Sequence, residues 1–195
     1  MEYQDLNNER ESLFLGPDTL HVLEISSPEQ ITIIEWWKPG GAETYTACFS
    51  LIDNDGVHRD LIAKACIKLC PRETTQEWLQ RRAILSENGV HFPEIYAIEG
   101  ATLVEEFIPY TFFEAYKTAN QKQRSALEEC FKNTYLKIIG AGFNPTSLHD
   151  LRSHGDDVVV IDVGEDLGPP RPINSCDLSA VLNAEKQFRY ITGKL

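Results

Sequence analysis

Three runs rich in β-branched and aromatic residues follow one another between Ile31 and Cys70: ITIIEWW, TYTACFSLI and DLIAKACIKLC. The connections between them, KPGGAE and DNDG, consist of the residues that tight turns need: glycine for backbone angles other residues avoid, Asp and Asn for local hydrogen bonds. Such breaks fit a helix poorly, so this part of the chain is predicted to be a three-stranded antiparallel meander. The apolar period changes after Pro71. In TTQEWLQRRAILSENG, Trp78, Leu79, Ile84 and Leu85 recur with polar residues between them; threonines at the start suit an N-cap and Gly89 suits a C-cap, which predicts a helix.

FPEIYAI and TLVEEFI, joined by EGA, read as a fourth and fifth strand. Residues 112–142 read as two helices, a short one around FFEAYKTA and a long one in QRSALEECFKNTYLKIIGAG. A polar loop (FNPTSLHDLRSHGDD), a strand (VVVID), a Pro-rich bridge (GPPRPIN) and a last helix from Asp177 complete the chain. Residues 1–30, broken at Gly16-Pro17, read as an irregular lead-in with one strand. Strands and helices are segregated rather than alternating, which predicts an α+β fold and argues against a doubly wound parallel sheet.

Charge narrows the partners. With 18 basic against 30 acidic residues and a net charge of −12, the chain offers no broad electropositive surface for nucleic acid or an anionic membrane. A polyphosphate can still bind an acidic protein where Mg²⁺, a local lysine or backbone N–H groups supply positive charge. Five cysteines (Cys48, Cys66, Cys70, Cys130 and Cys176) with no secretory hydrophobic region before them point to a reducing, cytoplasmic setting. Cys66 and Cys70 with His58 do not make a zinc site, because residues four apart in a strand lie roughly 13 Å from each other. No run approaches the ~20 apolar residues of a membrane span.

The order of three strands, helix, two strands, helices, loop, strand and helix resembles the protein-kinase-like fold over about residues 30–195. The resemblance implies an N-lobe at 1–108, a five-stranded antiparallel sheet with one helix, a hinge at about 105–108, and a reduced, mainly helical C-lobe at 109–195. LIAKAC looks like the third-strand lysine motif, implying that Lys64 contacts the ATP phosphates as a compact, mobile charge. The other reading of Lys64 is a solvated lysine on an edge strand. KPGGAETY stands where the family has its glycine-rich loop, although its spacing differs. There Gly40 and Gly41 either bring backbone N–H groups close to phosphate or form a hairpin turn.

GVHFPEIYAIEGATLVEEFI is similar to the stretch leading into the hinge of aminoglycoside-phosphotransferase-like kinases. The main chain from Glu106 to Ile108 would then hold adenine. VVIDVG looks like the D-F-G segment with Val163 in place of Phe, which implies that Asp162 binds Mg²⁺; the plainer alternative is that Asp162 ends a strand. DLSAVL resembles the segment whose aspartate, here Asp177, braces the catalytic loop; beside Ser175 it also suits a helix N-cap.

In the family a catalytic Asp lies roughly 18 residues, and a metal-binding Asn roughly 13, before the metal Asp. Counting back from Asp162 reaches Asn144 and His149. An amide cannot accept a proton as a carboxylate does, and histidine is a poor Mg²⁺ ligand. Asp150 is the better candidate for a displaced base or second metal ligand, while His154-Gly155-Asp156 only imitates the phosphotransferase H-G-D. For the helix acid that pairs with the lysine, Glu77 is the candidate, and a stricter alignment puts Arg81 or Arg82 there. Fewer than 20 residues follow Asp177 and no A-P-E segment follows DVG, so the resemblance implies a minimal core, as in some bacterial effector kinases and small phosphotransferases. Three readings stand: an atypical ATP- and Mg²⁺-dependent phosphotransferase, a pseudokinase serving as a nucleotide-binding or protein-interaction module, and an unrelated α+β binding protein.

Overall fold

The computed structural model describes residues 15–39, 44–66, 75–100, 102–143, 151–163 and 178–193. In them the chain is α+β, with a five-stranded antiparallel sheet, a separate two-stranded hairpin and five helices. It divides into two compact units, Met1–Thr74 with Pro93–Phe107, and Thr75–Phe92 with Ile108–Leu195.

The first unit starts differently from expectation. The lead-in holds no strand among its described residues; Pro17 instead opens a short helix, α1 (Pro17–Val22). Proline is suited to a first helical position, since its missing N–H would have no intrahelical partner there and its φ is already helical. The break read at Gly16-Pro17 is thus a helix start. The carboxylate of Glu99 caps this helix by accepting the Thr19 N–H at 2.8 Å.

The sheet comprises β1 (Ile31–Pro39), β2 (Thr44–Ile52), β3 (His58–Cys66), β4 (Ile95–Glu99) and β5 (Thr102–Glu106), in the order β1-β2-β3-β5-β4. The β2–β3 turn is held by Asp53, whose Oδ1 accepts the N–H groups of Asp55 and Val57 at 3.0 and 2.9 Å. Gly56 adopts φ +79° there, an angle that favours glycine. Directly opposed residues of an antiparallel pair share a face. One face carries Ala47, Phe49, Leu51, Leu61, Ala63, Ala97 and Val104, which with Leu23 form the core of this unit. The other face carries Thr46, Cys48, Ile62, Lys64, Leu103 and Glu105.

The second unit contains α2 (Thr75–Glu87), α3 (Phe112–Thr118), α4 (Gln121–Gly140), the hairpin β6 (Leu151–His154) and β7 (Asp157–Val160), and α5 (Leu178–Thr192). Along α4, Leu127, Phe131, Thr134, Tyr135, Ile138 and Ile139 are buried, the stripe that a 3.6-residue period makes. Phe131 packs against Phe112 and Phe188, with ring centroids 5.5 and 5.6 Å away. Capping boxes start α3 (Thr111 with Glu114) and α4 (Asn120 with Gln123), each satisfying two N–H groups that a helix start leaves unpaired. Helix α2 stops at Glu87, and Gly89, two residues on, takes φ +77°, consistent with the expected glycine at the helix end. Strand β6 lies inside the stretch read as a polar loop. Its four residues, LRSH, are too few and too polar to signal a strand without knowledge of the partner β7. Among the described residues no helix is long and apolar enough to cross a membrane.

Candidate functional site

Lys64 sits in the middle of the β3 ladder, opposite Thr46 on β2 and Leu103 on β5. Its Nζ pairs with Oε1 of Glu105, a carboxylate only 1% exposed, while the lysine side chain is 18% exposed. Ile62, two residues before Lys64, is directly opposite Glu105, so the ion pair runs along the diagonal of one sheet face. A four-carbon stem makes that reach. Because β3 lies between β2 and β5, Lys64 is not on an edge strand. A carboxylate taken fully from water needs a charged or hydrogen-bonding partner, and Lys64 supplies one.

Sequence reasoning placed the acidic partner on the following helix, at Glu77. That residue lies exposed in the first turn of α2 and belongs to the second unit. Glu105 was passed over because nothing local marks it: TLVEEFI has two consecutive glutamates, and only the register decides which shares the face of Lys64. Glu106 falls opposite Leu61, on the core face at the end of the ladder.

The main chain of the expected hinge is partly engaged. The Glu106 N–H donates to the Glu94 carbonyl at 2.9 Å and the Phe107 N–H to the Asp60 carbonyl at 2.8 Å.

Asp162 lies exposed just beyond β7, in the second unit. Its Oδ1 accepts the indole N–H of Trp78 at 3.4 Å. The next residue, Val163, is 0% exposed in the core of this unit, and its carbonyl accepts Nη1 of Arg81 at 3.0 Å. Arg82, also buried, lies 5.3 Å from the Trp78 ring centroid and 5.0 Å from that of Phe92. Residues 78, 81 and 82 are three and four apart, hence on one face of α2. Of His154-Gly155-Asp156, His154 ends β6 opposite Asp157, and Gly155-Asp156 form the hairpin turn to β7, with Gly155 at φ +64°.

Gly40, Gly41, Asn144, His149, Asp150 and Asp177 lie outside the described residues. Among those described, no group of three or more His, Cys, Asp and Glu is arranged to hold a metal ion. A separate cleft of about 250 Å³ in the second unit is lined by α4, the turn at Gly89 and the start of β7. At it His91 Nδ1 stands 3.7 Å from Asp157, and the Cys130 sulfur accepts the Val158 N–H at 3.4 Å. Compared with protein-family models and with curated proteins, the chain matches none.

Proposed function

We propose that the chain is a minimal, atypical kinase-like protein that binds ATP with Mg²⁺ and passes the terminal phosphoryl group to an acceptor hydroxyl. The observation that carries this reading is Lys64, on the third strand of a five-stranded antiparallel sheet, held by the fully buried Glu105. A buried ion pair is a costly way to stabilise a sheet; it is a good way to hold an ammonium in place for phosphate. On this reading Lys64 would contact the phosphates, and Asp162 would ligate the metal.

Mg²⁺ keeps several waters and takes one or two protein carboxylates beside phosphate oxygens, and on this reading Asp162 would supply one of them. Bound there, Mg²⁺ would neutralise charge on the phosphates. Asp150 would take the proton of the acceptor hydroxyl as the new P–O bond forms and ADP leaves. A second reading, a pseudokinase that holds nucleotide or a protein partner without chemistry, is favoured by Asn144 and His149 at the positions where the resemblance expects Asp and Asn.

A thermal shift experiment tests the proposal, because a ligand that binds only the folded state raises Tm by mass action. Wild type is expected to rise with ATP in a Mg²⁺-dependent way, and Asp162→Asn is not. Lys64→Ala would take its charged partner from the buried Glu105, so the informative variant replaces both, Lys64→Met with Glu105→Leu, and is expected to lose the rise while staying folded. No shift of wild type at millimolar ATP would reject the enzyme reading. A shift without phosphoryl transfer to any acceptor or to water would select the pseudokinase.

A further inference from the structure

We propose that the cleft between α4, the turn at Gly89 and the start of β7 binds a small zwitterion, a molecule of dipeptide size with a carboxylate at one end and an ammonium at the other. The cleft lies wholly within the second unit, and the proposal is independent of the nucleotide reading. Cys130, Asn133, Thr134 and Lys137 follow one another at helical spacing on α4 and form one wall of it. Thr134 points to a ligand. A threonine inside a helix commonly turns its hydroxyl onto the carbonyl four residues back, as Thr118 and Thr192 do. Thr134 does not: it is 5% exposed and lines the cleft, and its hydroxyl has no hydrogen-bond partner among the described residues. A buried hydroxyl without a partner costs stability, and a polar group seated in the cleft would recover that cost.

The two ends of the cleft carry opposite charge. At one end the Lys137 Nζ donates to the Gly89 carbonyl at 2.7 Å, which uses one of its three donors. Lys137 is the only lysine or arginine lining the cleft, and it makes no ion pair among the described residues. At the other end stand Glu129 and Asp157. Asp157 lies 3.9 Å from the Cys130 sulfur through Oδ1 and 3.7 Å from His91 Nδ1 through Oδ2. Two carboxylates against one imidazole leave this end anionic in either protonation state of the ring. A simple anion would therefore face the carboxylates, and a simple cation would face Lys137; a zwitterion satisfies both ends. Lys137 follows Cys130 by seven positions, roughly 10 Å along the helix axis. After a hydrogen bond at each end, this leaves roughly 5–8 Å between the charges of a ligand, close to the ~7 Å that two extended residues span. Asn133, between the two ends, offers an amide donor and acceptor suited to a peptide group.

The test is calorimetric titration of the full-length protein with alanyl-alanine, together with the rate at which iodoacetamide alkylates Cys130, mapped by mass spectrometry. Saturable binding that slows alkylation of Cys130 is expected; no saturable binding at tens of millimolar would overturn the proposal. N-acetyl-alanyl-alanine lacks the ammonium and alanyl-alanine amide lacks the carboxylate, so each is expected to bind at least about tenfold more weakly. Either one binding as well as the free dipeptide would show that the cleft does not read both charges. 6-Aminohexanoate keeps both charges without a peptide group: weaker binding than the dipeptide identifies a peptide as the ligand, equal binding a simple amino acid, and both uphold the charge assignment. Thr134→Val removes a hydroxyl that no protein group holds, so Tm is expected to stay or rise while affinity for alanyl-alanine falls roughly 2- to 10-fold. Wild-type affinity in Thr134→Val would overturn the site. Lys137→Met is expected to weaken binding roughly 10- to 150-fold; should loss of its contact with Gly89 unfold the protein, Thr134→Val and the end-blocked dipeptides decide without it.

Discussion

Glu99 and Gly16 show how a single missing atom can make room for a charge. A Cβ on Gly16 would fall 2.1 Å from the Glu99 carboxylate oxygen, which is the group that caps α1 through the Thr19 N–H. That hydrogen bond holds the Glu99 carboxyl below its ordinary pKa. The folded state therefore gains stability from Glu99 above its unfolded pKa of about 4.3, and loses it as pH falls through the lower folded value. Glu99→Gln is expected to lower the urea midpoint at neutral pH, with the gap from wild type closing in acid. Gly16→Ala displaces the same carboxylate, so its effect should not add to that of Glu99→Gln; additive midpoints would disprove the shared cause. Lys64 poses the sharper energetic question. Removing one member of a buried pair typically costs about 3–5 kcal/mol, whereas replacing both with apolar groups is often neutral. Lys64→Met is expected to cost about 3 kcal/mol in urea denaturation, and addition of Glu105→Leu to recover most of it.

At the scale of elements, helix ends are set by local sequence. Thr111 and Glu114 close a capping box on α3, with the Thr111 hydroxyl donating to Glu114 at 2.7 Å and accepting the Glu114 N–H at 3.2 Å. The hydroxyl holds the Glu114 carboxyl below its usual range. Thr111→Ala is expected to cost about 1 kcal/mol and to move the Glu114 titration, followed by NMR, upward towards the ordinary glutamate value. A titration that stays where it is would mean another group sets it. Strand ends obey a less local rule. Asp162 follows β7 by two positions, and its hydrogen-bond partner Trp78 lies 84 residues away in the chain.

For the whole molecule the governing quantity is a net charge of −12. A nucleotide polyphosphate approaching such a surface is repelled over distances comparable to the Debye length, about 10 Å at 0.1 M salt. Metal-free ATP is therefore expected to bind more tightly as ionic strength rises from low to physiological, the opposite of a basic phosphate site. A Kd that climbs with salt would show that local positive charge outweighs the net field.

Much of this architecture could be read from residue patterns. The residues of DNDG, the period change after Pro71 and the glycine just past α2 are short-range signals, and the five-stranded antiparallel sheet and the helices through α4 follow from such signals. The misreadings were α1, where Gly-Pro was taken for a break rather than a helix start, and β6, whose four residues become a strand only beside β7. Lys64 and Asp162 drew attention because each stands within, or at the end of, an apolar run. Their partners did not. Which of Glu105 and Glu106 meets Lys64 depends on a strand register, and a one-residue slip would exchange them between the faces of the sheet. That Trp78 meets Asp162 depends on the rotation of α2 against its own core. Local sequence determines elements because turns, caps and periodicity act over a few residues; tertiary structure alone chose these pairs, because register and helix rotation are settled by burial of whole faces at once.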